Sequence, residues 1–396
     1  MAKTLFSGGL LFDGEAAPKG GIAVLIEDGH IGAVGPLAEF AGFSGRTVDT
    51  TGATLMPGLV DCHVHLCFAP DNHPDVPLRD VSEEALTIRV RDRALATLAG
   101  GVTSIRDCGG IGMPEYRVRD ALATSHAPAP LLQACGPMIR KATDGFGDTV
   151  ARVAPDGPSV IDAVRAIAHD GADFINIMAT IDGLITGPDR IRYRDQDIAA
   201  GVAAASRLGR PVASNAQCAE DIVAVARAGV ASVEQGSGLD AEAIDAMLEH
   251  RVVLVPILLA RHNIYRAMVA RGASSERLEA AAQLAELTRR SARDFARAGG
   301  RIAMGTDCGA PGSEHGGNAA ELGLMVEAGL SALQVLVAAT SAGADLMRLS
   351  DRGRIVIGRR ADLLLVAGNP LADMSAVADR RNHRMVLVGG QPVGLP

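Results

Sequence analysis

The stretch Met56-Pro57-Gly58-Leu59-Val60-Asp61-Cys62-His63-Val64-His65 sets the reading of the whole chain. It is a short apolar run that closes on two histidines in an HxH pair. From about residue 57 to 345, short apolar runs alternate with longer Ala/Leu/Arg-rich stretches of helical period. The apolar runs are Leu59–His63, Val102–Arg106, Leu131–Ala134, Phe174–Met178, Pro211–Ser214, Ala231–Glu234, Val252–Ile257 and Ile302–Gly305. Eight strands alternating with helices predict an α/β fold, a (β/α)8 TIM barrel over residues 57–345.

On either side of that region the pattern is different. In residues 1–56, Ile22–Glu27 and His30–Val34 are apolar runs joined by Asp28-Gly29, which predicts a β-hairpin. Gly35-Pro36 should end its second strand, because proline cannot donate to the ladder. Residues 346–396 return to short strands at Ala361–Val366 and Arg384–Val388. The expectation is one small β domain built from both ends, 1–56 and 346–396.

The chain has 396 residues, 48% of them hydrophobic, enough for a large barrel and a companion domain. A net charge of −8 argues against a nucleic-acid partner. No apolar stretch approaches the ~20 residues of a membrane span. The start of the chain lacks the apolar core of a signal peptide. Six cysteines without framework spacing favour free thiols in a cytoplasmic protein. The expected partner is a small-molecule substrate, and a homo-oligomer is compatible with all of this.

Barrel active sites lie at the C-terminal ends of the strands. His63 and His65 close the first strand, and Asp307, in Gly305-Thr306-Asp307, closes the eighth. First and eighth strands are neighbours in a closed barrel, so these three side chains can converge. Two imidazoles and a carboxylate suit Zn²⁺ or a similar divalent ion. An HxH pair by itself is more often a hydrogen-bonded core feature; its ordering with Gly-Thr-Asp at the eighth strand favours the functional reading. The cysteines lie near strand ends but read as small buried hydrophobes, and Lys141 as a solvated loop residue.

These residues and three further motifs carry a resemblance. They are Gly101-Val102-Thr103-Ser104-Ile105-Arg106-Asp107, His315-Gly316-Gly317-Asn318 and Gly358-Arg359-Arg360-Ala361-Asp362-Leu363. Together with the HxH and Gly-Thr-Asp segments, they make the chain similar to the amidohydrolase superfamily. Within it, the chain resembles imidazolonepropionase-like and Xaa-Pro dipeptidase-like enzymes. That resemblance implies a carboxylated lysine bridging two metals at position 176 and ligand histidines at 215 and 235. This chain has Asn176, Asn215 and Gln235 instead. An amide oxygen is a weak ligand beside imidazole or carbamate, so the second metal should be absent. The three amides remain able to bind substrate or a water, or merely to satisfy each other. Phe146 stands where relatives have a histidine that contacts substrate, and it reads either as a substrate contact or as a packed loop aromatic.

The leading expectation is a hydrolase of an amide, cyclic amide or ester with at most one metal ion, zinc or another divalent cation. Without a metal, His63, His65 and Asp307 form an acid–base set suited to an isomerase, lyase or cyclase. A non-catalytic binding protein on the same barrel is the third reading.

Overall fold

A computed structural model of the chain describes residues 3–70, 78, 81–142, 150–181 and 191–394. Parallel strands form the barrel. Leu59–Val64 pairs with Val102–Asp107, which pairs with Leu131–Ala134. A short strand, Met138–Arg140, follows and lies beside Ile175–Met178. The order continues through Val212–Ala216, Ser232–Gln235 and Val253–Val255. Between the two runs, Asp173 N donates to Ala134 O at 3.0 Å. The strands are almost wholly buried, as expected where helices cover the outside and side chains fill the inside.

The expected eighth strand, Ile302–Gly305, is not a regular strand. Ile302 makes an isolated bridge with Leu254, and Ala303 N donates to Leu254 O at 3.0 Å. On the other side, Cys62 N donates to Met304 O at 2.8 Å. The segment closes the barrel, but its ladder is broken because Met304 N turns outward to Ala338 O. At Gly305 a Cβ would lie 2.3 Å from Val255 Cγ1 and 2.9 Å from His63 Cβ, so the neighbouring staves press against bare backbone.

Both chain ends contribute to the remaining sheets. Ala53–Pro57 pairs antiparallel with Leu363–Ala367, which pairs with His383–Val388. Lys3–Ser7, Ile22–Glu27, His30–Pro36 and Arg46–Asp49 form a second sheet. Phe6, Val24, Leu55, Leu363 and Leu365 share one buried cluster between them. The hairpin turn has Asp28 at φ 49° and Gly29 at φ 84°, the paired positive angles of a type I′ turn. Its second strand ends at Pro36, as the sequence implies.

Ala53–Pro57 runs through Gly58 into the first barrel strand. Gly58 N donates to Asp362 O at 3.0 Å, so the small sheet and the barrel fix one another there. Among the described residues, no helix is long and apolar enough to cross a membrane.

Candidate active site

His63, His65 and Asp307 meet at the C-terminal mouth of the barrel. His65 Nε2 lies 3.2 Å from Asp307 Oδ1, and His63 Nε2 lies 3.9 Å from the same oxygen. One ligand atom from each residue falls within 4.8 Å of the others. Both histidines are buried. Asp307 takes φ 56°, a left-handed angle rare for residues other than glycine, and is turned back by Asp307 N donating to His63 O at 2.7 Å.

The other nitrogen of each ring is engaged. His65 Nδ1 donates to Gly109 O at 2.8 Å. His63 Nδ1 lies 2.8 Å from Glu234 Oε2. Each acceptor holds a ring proton on Nδ1 and turns Nε2 toward Asp307. Glu234 is itself fixed, with Arg106 donating to Oε1 at 2.7 Å and Ser232 Oγ at 2.5 Å. Burial opposes the charge on Glu234, but Arg106 and His63 hold its carboxyl below the usual range. Arg106 also donates to Cys62 O and lies over the Phe174 ring.

The electrostatics of the mouth are mutual. Burial disfavours a charge on His65, yet Asp307, with Asp107 behind, raises its pKa above the ordinary histidine value. Burial would raise Asp307, but His65, His63 and Arg261 keep it below the usual carboxylate range. Burial pushes the Cys62 thiol up to about 12, and Cys67, Cys108, Cys135 and Cys308 well above the ordinary thiol value. These buried thiols are protonated at neutral pH.

Behind the mouth, three motifs converge on one carboxylate. Asp61 accepts from Thr306 Oγ1 at 2.6 Å, from Asn318 Nδ2 at 2.7 Å and from His63 N at 3.1 Å. Asn318 Oδ1 in turn accepts from Gly316 N at 2.9 Å. The HxH strand, the Gly-Thr-Asp segment and the His-Gly-Gly-Asn loop are thereby held in one register.

The three amides do not satisfy one another. Asn176 Nδ2 donates to Cys108 O at 2.6 Å, and its Oδ1 has no partner among the described residues. Asn215 Oδ1 is also buried without a partner among those residues. Gln235, at φ 71°, has its Oε1 occupied by Gln217 Nε2 and by Arg261 at 3.1 Å. Phe146 lies outside the described residues. Sequence reading gave no role to Glu234, Arg106 or Arg261. The available signal was charge inside otherwise apolar strands, in Ser104-Ile105-Arg106-Asp107 and Val233-Glu234-Gln235.

The model of the Amidohydrolase family matches residues 54–393. Ochratoxinase of Aspergillus niger is 28% identical over 423 residues, covering 98% of this chain and 86% of that protein. Imidazolonepropionase of Paracoccus denitrificans is 25% identical over 386 residues, covering 86% of each. A crystal structure of a Xaa-Pro dipeptidase with methionine bound in its active site superposes with a TM-score of 0.86. It has 28% identity and covers 99% of this chain and 100% of that one. With the family match extending from the start of the small sheet's central strand nearly to the end of the chain, this protein belongs to the amidohydrolase family.

Proposed function

We propose that this protein is a hydrolase of an amide, cyclic amide or ester that works with at most one divalent metal ion, zinc or a similar cation. One observation carries the reading. Both imidazoles have Nδ1 tied to an acceptor, and both Nε2 atoms face the Asp307 carboxylate. That donor set fits a single ion: two neutral imidazoles and a carboxylate, with outer acceptors already in place. It does not fit a second, because Asn176 and Asn215 are neutral amides and Gln235 Oε1 is taken by Gln217 and Arg261.

His63, His65 and Asp307 would hold the ion, which when bound polarises the substrate carbonyl or a water. Asp307 Oδ1 then accepts the proton that the attacking water gives up and delivers it to the leaving nitrogen or oxygen. Glu234, braced by Arg106, keeps His63 in one tautomer throughout. Asn176, Asn215 and Gln235 are assigned to substrate binding on the ground that the Oδ1 atoms of Asn176 and Asn215 are buried with no partner among the described residues.

A second reading is a metal-independent acid–base enzyme on the same residues. The 3.2 Å contact between His65 Nε2 and Asp307 Oδ1 favours it, since that pair can exchange a proton directly. Elemental analysis of protein purified under metal-replete conditions tests the proposal. We expect no more than one zinc-like ion per chain, lost in the His63→Ala variant. Two ions per chain would overturn it. No ion, together with turnover that survives chelation, would select the second reading.

A further inference from the structure

The opposite end of the barrel carries a concentration of positive charge that the proposed chemistry does not use. A cavity of about 530 Å³ opens there beneath the starts of the sixth, seventh and eighth staves, at Ala231, Val253 and Ile302. A second, of about 250 Å³, adjoins it and shares Ala231, Leu346 and Arg348. Arg251, Arg301 and Arg348 line the first and Arg210 and Arg348 the second.

The carboxylates around these cavities are already committed. Arg354 holds Asp345 at 2.7 Å and Glu15 at 2.5 Å, and Arg119 holds Asp173 at 3.0 Å. Arg301 adds to the field on Asp345 and donates to Arg251 O at 2.8 Å. Among the described residues, Arg210, Arg251, Arg301 and Arg348 make no ion pair with a carboxylate. Four guanidiniums thus gather at one end of a chain whose net charge is −8.

Two of them sit where the backbone disfavours any side chain. Helix Ala241–Glu249 ends with Arg251 N donating to Leu248 O and Val252 N to Met247 O. Helix Ser341–Leu346 ends with Arg348 N donating to Asp345 O and Leu349 N to Ala344 O. Both are Schellman closures, in which glycine normally takes the left-handed position. Helices Ala219–Ala228 and Ser275–Arg297 follow that rule, with Gly229 at φ 89° and Gly299 at φ 82°. Arg251 at φ 56° and Arg348 at φ 57° break it, and both line the same cavity. A helix-end charge alone can be supplied from the preceding turn without this strain.

We propose that this end of the barrel binds a small polyanion, a molecule with two or more phosphate or carboxylate groups, through Arg251, Arg301 and Arg348, with Arg210 at its edge. Guanidinium forks match such oxyanions in shape and charge. Cavities of about 530 and 250 Å³ match the size of a small-molecule site. The site is independent of the chemistry proposed at the mouth.

The test is calorimetric titration of the full chain with pyrophosphate and, separately, with citrate, at constant ionic strength. The comparison is the double variant Arg251→Gly, Arg348→Gly. Glycine suits both backbone positions, so this variant should melt no lower than the parent. His63, His65 and Asp307 are unchanged, so heat from chelation at the mouth cancels between the two proteins. We expect saturable binding of at least one probe, weakened at least ~10-fold in the double variant, about 1.4 kcal/mol. Preference for one probe identifies phosphate or carboxylate as the chemistry recognised. Absence of saturable binding, or equal binding in the double variant, overturns the proposal. Binding of an oligonucleotide but of neither small anion overturns it in favour of a polymer surface.

Discussion

Glu234 Oε2 stands 2.8 Å from His63 Nδ1 while its Oε1 stands 2.7 Å from Arg106, so one buried carboxylate joins a cation in the barrel interior to an imidazole at its mouth. Removing its charge should be felt at both ends. Glu234→Gln leaves Arg106 as an uncompensated buried charge, a change that typically costs 3–5 kcal/mol, so denaturant melts should show a loss of about that size. It also frees the His63 tautomer, and metal affinity should fall roughly 10–100-fold. Adding Arg106→Met should recover part of the stability and none of the metal affinity. Additive losses in the double variant would show that the two residues act separately.

Asp307→Asn should fold normally and lose activity by at least ~10² in rate. The fold survives because asparagine is among the few residues that tolerate a left-handed angle such as φ 56°. What is lost is the anionic ligand and proton acceptor in the metal reading, or the base in the metal-free one. A folded variant with full turnover would place the chemistry elsewhere in the pocket.

Asn318→Leu should report on the register of the mouth. The change removes donation to Asp61 at 2.7 Å and the acceptor for Gly316 N. We expect a stability loss of about 1–3 kcal/mol, from buried groups left without partners. Turnover should fall with it, because Thr306 and Asp307 are aligned through the same carboxylate. Unchanged turnover in a destabilised protein would confine Asn318 to a structural role.

The triple variant Asn176→Lys, Asn215→His, Gln235→His should take up a second metal ion while turning over the native substrate more slowly. It supplies the missing ligands, but it also adds positive charge and fills the space that the amides line. Gln235→His must further displace the contacts from Gln217 and Arg261. Two ions together with faster native turnover would identify the present site as a degraded two-metal centre.

Glu321 should make stability depend on pH. It accepts from Leu258 N and Leu259 N, but burial pushes its carboxyl from 4.5 up to about 8. The folded state therefore binds a proton that the unfolded state releases between those values. Its contribution is present below 4.5 and is lost as pH rises toward 8, at a slope approaching about 1.4 kcal/mol per pH unit. Glu321→Gln should flatten that slope in urea midpoints measured across the window. An unchanged slope would mean the carboxyl is ionised in the fold.

Much of the barrel could be read from the chain, because its strands are short apolar runs bounded by helical stretches. The weakest reading was Ile302–Gly305. Its composition is strand-like, but whether a ladder forms depends on what stands beside it, and Met304 N finds Ala338 O instead. His63, His65 and Asp307 were legible as a motif. The direction of each side chain was not: which Asn176 atom faces a backbone carbonyl, and that Arg261 reaches Gln235, depend on residues far away in sequence. Glu234 and Arg106 were visible as charges in apolar runs, but their pairing exists only once the barrel closes.

The bond from Gly58 N to Asp362 O has a consequence for how the molecule is made. The strand that ends in the HxH pair is continuous with Ala53–Pro57, whose partner Leu363–Ala367 is synthesised some 300 residues later. A ribosome that has delivered every residue of the mouth, Asp307 included, has not yet delivered the strand that anchors it. Until then the nascent chain holds an unpaired edge at its start, of the kind that invites association with other chains. Maturation is therefore expected to be late and abrupt, with the arrival of Leu363–Ala367 converting a nearly complete barrel into an anchored one.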